Sequence, residues 1–379
     1  MKKAVCISCT HHYQERIRPV ISALTKAGYE CTYLTSDFSH TAKSHFQVDL
    51  PGCVQLPTRP YTKNISPQRI LSHLSFARDA MAEVRRLQPD LLYVEVPPNS
   101  LCREAARYKK QHPHVKLIFD IFDLWPESFP NSRAKQLLKL PFGIWAHFRN
   151  MGLPKADLVL TECDLFQRKL QKFLTDSRTH TLYLCRESAG TETPKRLPQQ
   201  DALHLCYLGN INNIIDIPTI SGLIGRIQPL RPVTLHIIGG GESLEAFANS
   251  VQAAGGQVVC HGKIYDPAQK QAIFDLCSFG LNIMKDSVCV GLTMKSLDYF
   301  AGGLPILNTI EADTWNLVEQ RNIGINVDRG NLSATASQIA QITPQQQQAM
   351  AEATLQTFHE LFTEDRFQQT LLSHLSILG

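Results

Sequence analysis

Apolar runs of strand length alternate along this chain with longer stretches whose apolar positions recur every three or four residues. That alternation predicts β-α-β units and a mostly parallel sheet covered by helices on both faces. The first unit opens with the buried-strand run Ala4-Val5-Cys6-Ile7-Ser8-Cys9, followed by a polar turn Thr10-His11-His12-Tyr13 and a helix reaching Lys26. Gly28 stops that helix before a second strand over 31–35. The pattern continues with a helix over 66–88, a strand over 91–94, a helix over 99–111 and a strand over 115–120. A further strand over 156–161 and a helix over 164–174 follow, and 186–200, rich in Glu, Thr, Pro and Gln, has the composition of a linker. The series then restarts, with strands over 203–210, 234–238 and 278–284, a strand running into a turn over 258–267, a short Pro-led strand over 305–308 and a strand over 324–327, separated by helical patterns. The expected organisation is therefore an N-terminal domain over 1–188 and a C-terminal domain over 200–345. Closing helices over 346–379 have apolar spacing suited to packing back across both.

Composition narrows the class. With 379 residues, 43% apolar and 19% charged, the chain has room for two ordinary globular domains of about 100–200 residues each. Charge is unevenly placed: residues 1–190 hold 27 Lys/Arg against 17 Asp/Glu, and 191–379 hold 11 against 17. A basic half of this kind suits anionic lipid or an acidic substrate. The basic residues are spread over helices without a groove-binding motif, so a nucleic acid is not an expected partner. No apolar run approaches the ~18 residues of a spanning helix, and Met1-Lys2-Lys3 leads straight into a strand, unlike a signal peptide. The expected location is cytoplasmic, or peripheral on the inner face of a membrane. Eleven cysteines then read as reduced core residues. Cys6-Ile7-Ser8-Cys9 with His11 and His12 also has a metal or redox reading, although a strand would send Cys6 and Cys9 to opposite faces.

Candidate chemistry lies at the turns that follow strands. Thr293 caps a helix that Gly302 and Gly303 stop, and Lys295 and Asp298, three residues apart, share one face near its start. The orphan N–H groups and dipole there favour an anion such as a diphosphate, while a solvated Lys–Asp pair is the equal alternative. Gly239-Gly240-Gly241 after a strand either admits a phosphate or sugar against the backbone or simply makes a tight turn. Asp123 and Glu127 stand beside Trp125 and Pro126 at a strand's carboxyl end, as cleft acids or as ordinary acids of a helix start. Residues 132–150 mix Arg133, Lys135, Lys139 and Arg149 with Leu137, Leu138, Phe142, Trp145 and Phe148, a pattern of either a membrane-interface helix or core.

The order of these pieces resembles the GT-B fold glycosyltransferases of glycosyltransferase family 4 over almost the whole chain. The pieces are Ala23-Leu24 through Gly28-Tyr29, Asp123-Leu124-Trp125-Pro126-Glu127-Ser128, Ala156-Asp157, Tyr207-Leu208-Gly209, Ile237 through Glu242, His261-Gly262-Lys263-Ile264 and Lys295 through Asn308. The last is similar to that family's K-x-x-E-Y…A-x-G-x-P segment, with Asp298 in place of Glu. The resemblance implies two Rossmann-like α/β domains with parallel sheets facing a cleft. It also implies an enzyme that moves a hexose or related sugar from a nucleotide-sugar donor, a UDP-sugar, to a glycan acceptor such as a lipid-linked intermediate of a surface polysaccharide. It places Lys295 and the helix start at Thr293 against the donor diphosphate, Asp298 against the ribose, and Gly209 and Asn210 near the phosphates or sugar. The Lys263-Ile264-Tyr265 turn would border the base, and Asp286 is the nearest acid upstream of the motif. Members of that family that retain configuration need no carboxylate nucleophile; Lys295, with Asp123 and Glu127 on the opposite wall, is the implied catalytic set. No metal and no cofactor beyond the co-substrate is expected, since no Asp-x-Asp turn is present. Three positions depart from the family pattern: Val290 where a Glu is common, Asn212 and Asn213 where Arg or Lys usually follows Gly209-Asn210, and Phe122 before Asp123. The missing cations after Gly209 motivate one rival, a non-catalytic partner of a transferase; a sugar-nucleotide epimerase of the same fold is another.

Overall fold

The computed structural model describes residues 1–10, 14–48, 50–129, 133–175, 178–188 and 202–378. His11, His12 and Tyr13 of the first turn, and all but the first few residues of the linker segment, lie outside them. Contacts divide the chain into two compact units, Met1–Cys185 with Glu364–Gly379, and Arg186–Thr363.

The first unit contains β1 (Lys2–Ser8), α1 (Gln14–Lys26), β2 (Tyr29–Ser36), β3 (Cys53–Leu56), α2 (Pro67–Leu87), β4 (Leu91–Val96), α3 (Asn99–Gln111) and β5 (Lys116–Ile121). It continues through α4 (Arg133–Leu137), α5 (Lys139–Gly152), β6 (Leu158–Thr161), α6 (Asp164–Leu170) and β7 (Thr179–Thr181). Its seven strands run parallel in the order β3-β2-β1-β4-β5-β6-β7. The chain leaves β1 in one direction for β2 and β3, then returns to β4 on the other side, so the strand order reverses between β1 and β4. Ile17, Val20 and Leu24 of α1 pack with Phe367 and Leu371 on Ala4, Cys6 and Tyr33 of the sheet. Beneath them Arg16 makes a two-pronged ion pair with Asp120, with both N–O distances at 2.7 Å. Tyr93 donates to the same carboxylate, so this buried charge is fully partnered.

The second unit contains β8 (Leu203–Asn210), α7 (Ile217–Ile227), β9 (Val233–Gly240), α8 (Leu244–Ala253), β10 (Gln257–Gly262), α9 (Pro267–Leu276) and β11 (Phe279–Asn282). After these come α10 (Met294–Ala301), β12 (Ile306–Asn308), α11 (Asp313–Arg321), β13 (Gly324–Asn326), α12 (Leu332–Ala340) and α13 (Pro344–Leu361). The six parallel strands are ordered β10-β9-β8-β11-β12-β13, reversing between β8 and β11. Isoleucines and leucines of α7, with Phe247 and Val251 of α8, close one face of this sheet. The closing helices divide between the units: α13 belongs to the second, and α14 (Glu364–Leu375) packs on α1 in the first. No helix among the described residues is long and apolar enough to cross a membrane.

Candidate functional site

Open parallel sheets bind ligands outside the carboxyl ends of their strands where the strand order reverses. In the second unit that point lies between the ends of β8 and β11. β8 ends on Gly209 and Asn210, and β9 beside it ends on Gly239 and Gly240. Gly209, Gly239 and Gly241 all have positive φ, at 115°, 145° and 148°. At Gly239 a Cβ would lie 2.0 Å from the Gly209 carbonyl oxygen, and at Gly241 one would lie 2.2 Å from that of Ile211. Only glycine lets these turns touch. The triple glycine is thus a backbone-on-backbone contact between the turns that follow β8 and β9, with the Asn210 side chain beside it.

β11 leads toward α10. Thr293 caps α10: its Oγ1 accepts from the Ser296 amide at 3.2 Å and donates to Asn282 Oδ1 at 2.9 Å, so the cap is anchored on the end of β11. The hydroxyl is taken up by this anchoring. The first-turn N–H groups ahead of Ser296 have no intrahelical acceptor. Lys295 turns back to β8: its Nζ lies 3.2 Å from the Tyr207 hydroxyl and 4.4 Å from the centre of that ring, and the Tyr207 hydroxyl donates to the Asn210 carbonyl. Lys295 therefore reaches the end of β8 and forms no ion pair among the described residues. Burial lowers its pKa from 10.5 to about 8.

The other residues singled out in the sequence are distributed around this point. Lys263, exposed after β10, lays its side chain over Gly240, with Cε 4.0 Å from where a Cβ would stand. It brings to the triple glycine a cation that Asn212 and Asn213 do not supply. Ile264 is partly covered, Tyr265 projects into solvent, and Asp286 is exposed on the turn after β11. Asp298 is engaged: Lys270 donates to it at 3.1 Å and Arg186 lies 3.6 Å away.

In the first unit, the order-reversal point between β1 and β4 opens into a polar cavity of about 80 Å3, room for several water molecules. Thr10, His40, Tyr61, Arg69, His73 and Asp123 line it. Asp123 accepts from the Ser128 hydroxyl at 2.8 Å, and burial raises its pKa despite that bond and the nearby Arg69. Arg69 bonds the Asn64 carbonyl, while its buried Nε has no partner. His73 is held neutral by burial and by Arg69. Cys9 lines the cavity as a protonated thiol, its pKa pushed up to about 12 by burial.

Glu127 has a different environment from Asp123. Both its oxygens accept from Arg149, at 2.9 and 2.6 Å, and that guanidinium is completely buried. Glu127→Ala would leave a buried cation without its carboxylate, and is expected to lower stability by about 2 kcal/mol, less than a fully buried pair because Glu127 is itself a third exposed. The urea midpoint checks this. A variant with unchanged midpoint and lost activity would instead place Glu127 in the chemistry.

Sequence reasoning missed Lys270, Arg186 and Arg69, and the partnerships of Tyr207 and Arg149. Tyr207 stands in the quoted Tyr-Leu-Gly piece, but its role depends on α10 approaching from far along the chain; the cations carry no local signal at all.

No protein-family model matches the chain, and comparison with curated proteins gives no match. Among solved structures it is similar to a sucrose-phosphate synthase from Thermosynechococcus elongatus, with a TM-score of 0.72 at 13% identity over 100% of this chain and 99% of that one. It is similar to HepE from Anabaena in complex with UDP and glucose, at 0.66 and 14% over 99% and 100%. The lipopolysaccharide outer core galactosyltransferase WaaB, in its apo form, gives 0.67 and 13% over 100% of both chains. Two parallel sheets of seven and six strands with this likeness make the fold GT-B.

Proposed function

We propose that this chain is a glycosyltransferase that takes a sugar from a UDP-sugar and passes it, with retention of configuration, to a hydroxyl of a glycan acceptor. A lipid-linked intermediate of a surface polysaccharide is the acceptor class that fits the basic N-terminal half. The observation that carries the reading is Lys295, partly buried at the start of α10 with no ion pair among the described residues, beside the close-packed glycine turns after β8 and β9. A diphosphate supplies the missing anion. HepE, which shares the fold, is known with UDP and with UDP-glucose.

In this reading the bond from the anomeric carbon to the β-phosphate oxygen breaks and the acceptor oxygen takes its place, its proton leaving with the phosphate. Lys295, Lys263, the first-turn amides of α10 and the turn at Gly209 and Asn210 stabilise the charge that grows on the departing diphosphate. Thr293 holds the helix start in position. Asp298, steadied by Lys270 and Arg186, faces the ribose, and the Ile264-Tyr265 turn borders the base. Asp123 orients the acceptor hydroxyl, and Arg149 holds Glu127, four residues on. The test is incubation with a panel of UDP-sugars and glycan acceptors, following released UDP and the anomeric configuration of the product by proton NMR. An inverted product would overturn retention. Conversion of the sugar nucleotide without an acceptor would favour an epimerase, and donor binding without turnover a partner subunit.

The depressed pKa of Lys295 gives opposite pH slopes for two quantities. Between about 8 and 10.5 the unfolded chain binds more protons than the folded one, so the stability of the free protein rises with pH across that window. Binding a diphosphate requires the charged form, so UDP affinity should be level near neutral pH and fall by about tenfold per unit above about 8. Calorimetric titration across that range checks the slope, and a flat profile would remove Lys295 from the diphosphate.

A further inference from the structure

α5 carries two apolar stripes. One, through Phe142, Trp145 and Gly152, is buried; at Gly152 a Cβ would lie 2.6 Å from the Cys102 carbonyl oxygen, so α5 is pressed onto α3 and its rotation is set. The opposite stripe is therefore turned outward. It consists of Leu140, Ile144 and Met151, at helical spacing, and is extended by Leu137 of α4. These side chains are 75%, 53%, 59% and 85% exposed, and whereas single exposed apolar side chains are ordinary on a protein surface, four of them on one face mark a surface of interaction. His147 lies between them, and along about 16 Å of helix no charged residue interrupts the row.

The charges around the stripe have one sign. From Ser128 to Ala156 there is no Asp or Glu, and there are five Lys or Arg. Arg149 is taken up by Glu127, and Lys135 donates to the carbonyls of Glu127 and Phe129. Lys139, at the start of α5, and Lys155, three residues past its end, are exposed and form no ion pair among the described residues.

We propose that this face of α5 docks the protein on a membrane surface rich in anionic lipid, with Leu137, Leu140, Ile144 and Met151 entering the headgroup boundary and Lys139 and Lys155 meeting lipid phosphates and carboxylates. Aliphatic anchors flanked by lysines suit that interface, where each lysine stem covers apolar surface while its ammonium reaches the headgroups. A second copy of this chain fits poorly. A two-fold contact would set the patch against itself and bring lysines together with no carboxylate to receive them. The proposal deepens the lipid-linked reading of the acceptor and rests on it for its purpose, but the surface can be tested without any transfer reaction.

The full chain is sedimented with phosphatidylcholine vesicles containing a third of phosphatidylserine, and with phosphatidylcholine alone. Association with the anionic vesicles only, weakening as salt is raised, is expected. Leu140→Asp with Ile144→Asp should lower it by roughly tenfold or more, with an unchanged melting temperature because both side chains face solvent. Lys139→Glu with Lys155→Glu, which leaves the apolar stripe intact, should also lower it by roughly tenfold or more. No association with anionic vesicles, equal binding to neutral ones, or full binding by the Asp variant would overturn the proposal. A dimer that the Asp variant dissolves would assign the face to a second copy instead. Vesicle binding by a protein that binds no UDP would leave this surface standing and sink the donor reading.

Discussion

Lys295→Ala is expected to lower transfer by roughly 10²- to 10³-fold, the loss seen when one preorganised donor to a developing oxyanion is removed. The free protein should not lose stability with it. A lysine whose pKa falls to about 8 through burial is a cation the folded chain holds at a disadvantage, eased in part by the Tyr207 ring and hydroxyl. Removing it relieves that disadvantage, so the melting temperature of the unliganded variant should stay level or rise. Such a pairing, activity lost and stability kept, marks a residue placed for a ligand. If Lys295→Ala kept near-normal turnover, the diphosphate would have to lie elsewhere. If it lost activity together with its fold, the lysine would be structural.

Gly239→Ala is the second large effect, of the opposite kind. The residue has φ 145° and its Cβ would sit 2.0 Å from the Gly209 carbonyl oxygen, which is backbone and cannot swing aside. The ends of β8 and β9 must separate, at a cost of roughly 3 kcal/mol or more from the disallowed backbone and the clash together. UDP binding should be lost with it, because the turn that carries Asn210 moves. Gly143→Ala is the control: it lies in the exposed part of α5 with nothing within 4 Å of its Cβ and should be neutral or slightly stabilising. Urea midpoints of the two variants check the contrast. Equal midpoints would mean the β8–β9 contact is slack.

Much of this architecture was legible from local pattern. Thr293 announced a cap because a hydroxyl residue preceded a periodic stretch, and Gly239-Gly240-Gly241 announced a close approach because three glycines followed a buried strand. β3 and β7 escaped notice: they are short, of four and three residues, at the edges of the sheet, too brief for a period to show. The partners of the candidate acids escaped for a different reason. Lys270 reaches Asp298 across 28 residues and Arg149 reaches Glu127 across 22, and such pairings are decided by packing rather than by neighbours in sequence. Spacing alone could not decide α5 either. Its sequence offers two apolar stripes, and only the close approach at Gly152 shows that Trp145 turns inward while Leu140 turns out. The departures at Asn212 and Asn213 pointed to a shortage of positive charge, and the structure lays Lys263 over Gly240.

The most direct measurement is calorimetric titration of UDP into the purified chain and into Lys295→Ala near neutral pH. Saturable binding by the first, weakened at least tenfold in the second, is expected of a diphosphate held at the start of α10. Absence of UDP binding by the unaltered chain, or equal affinity in both proteins, would contradict it.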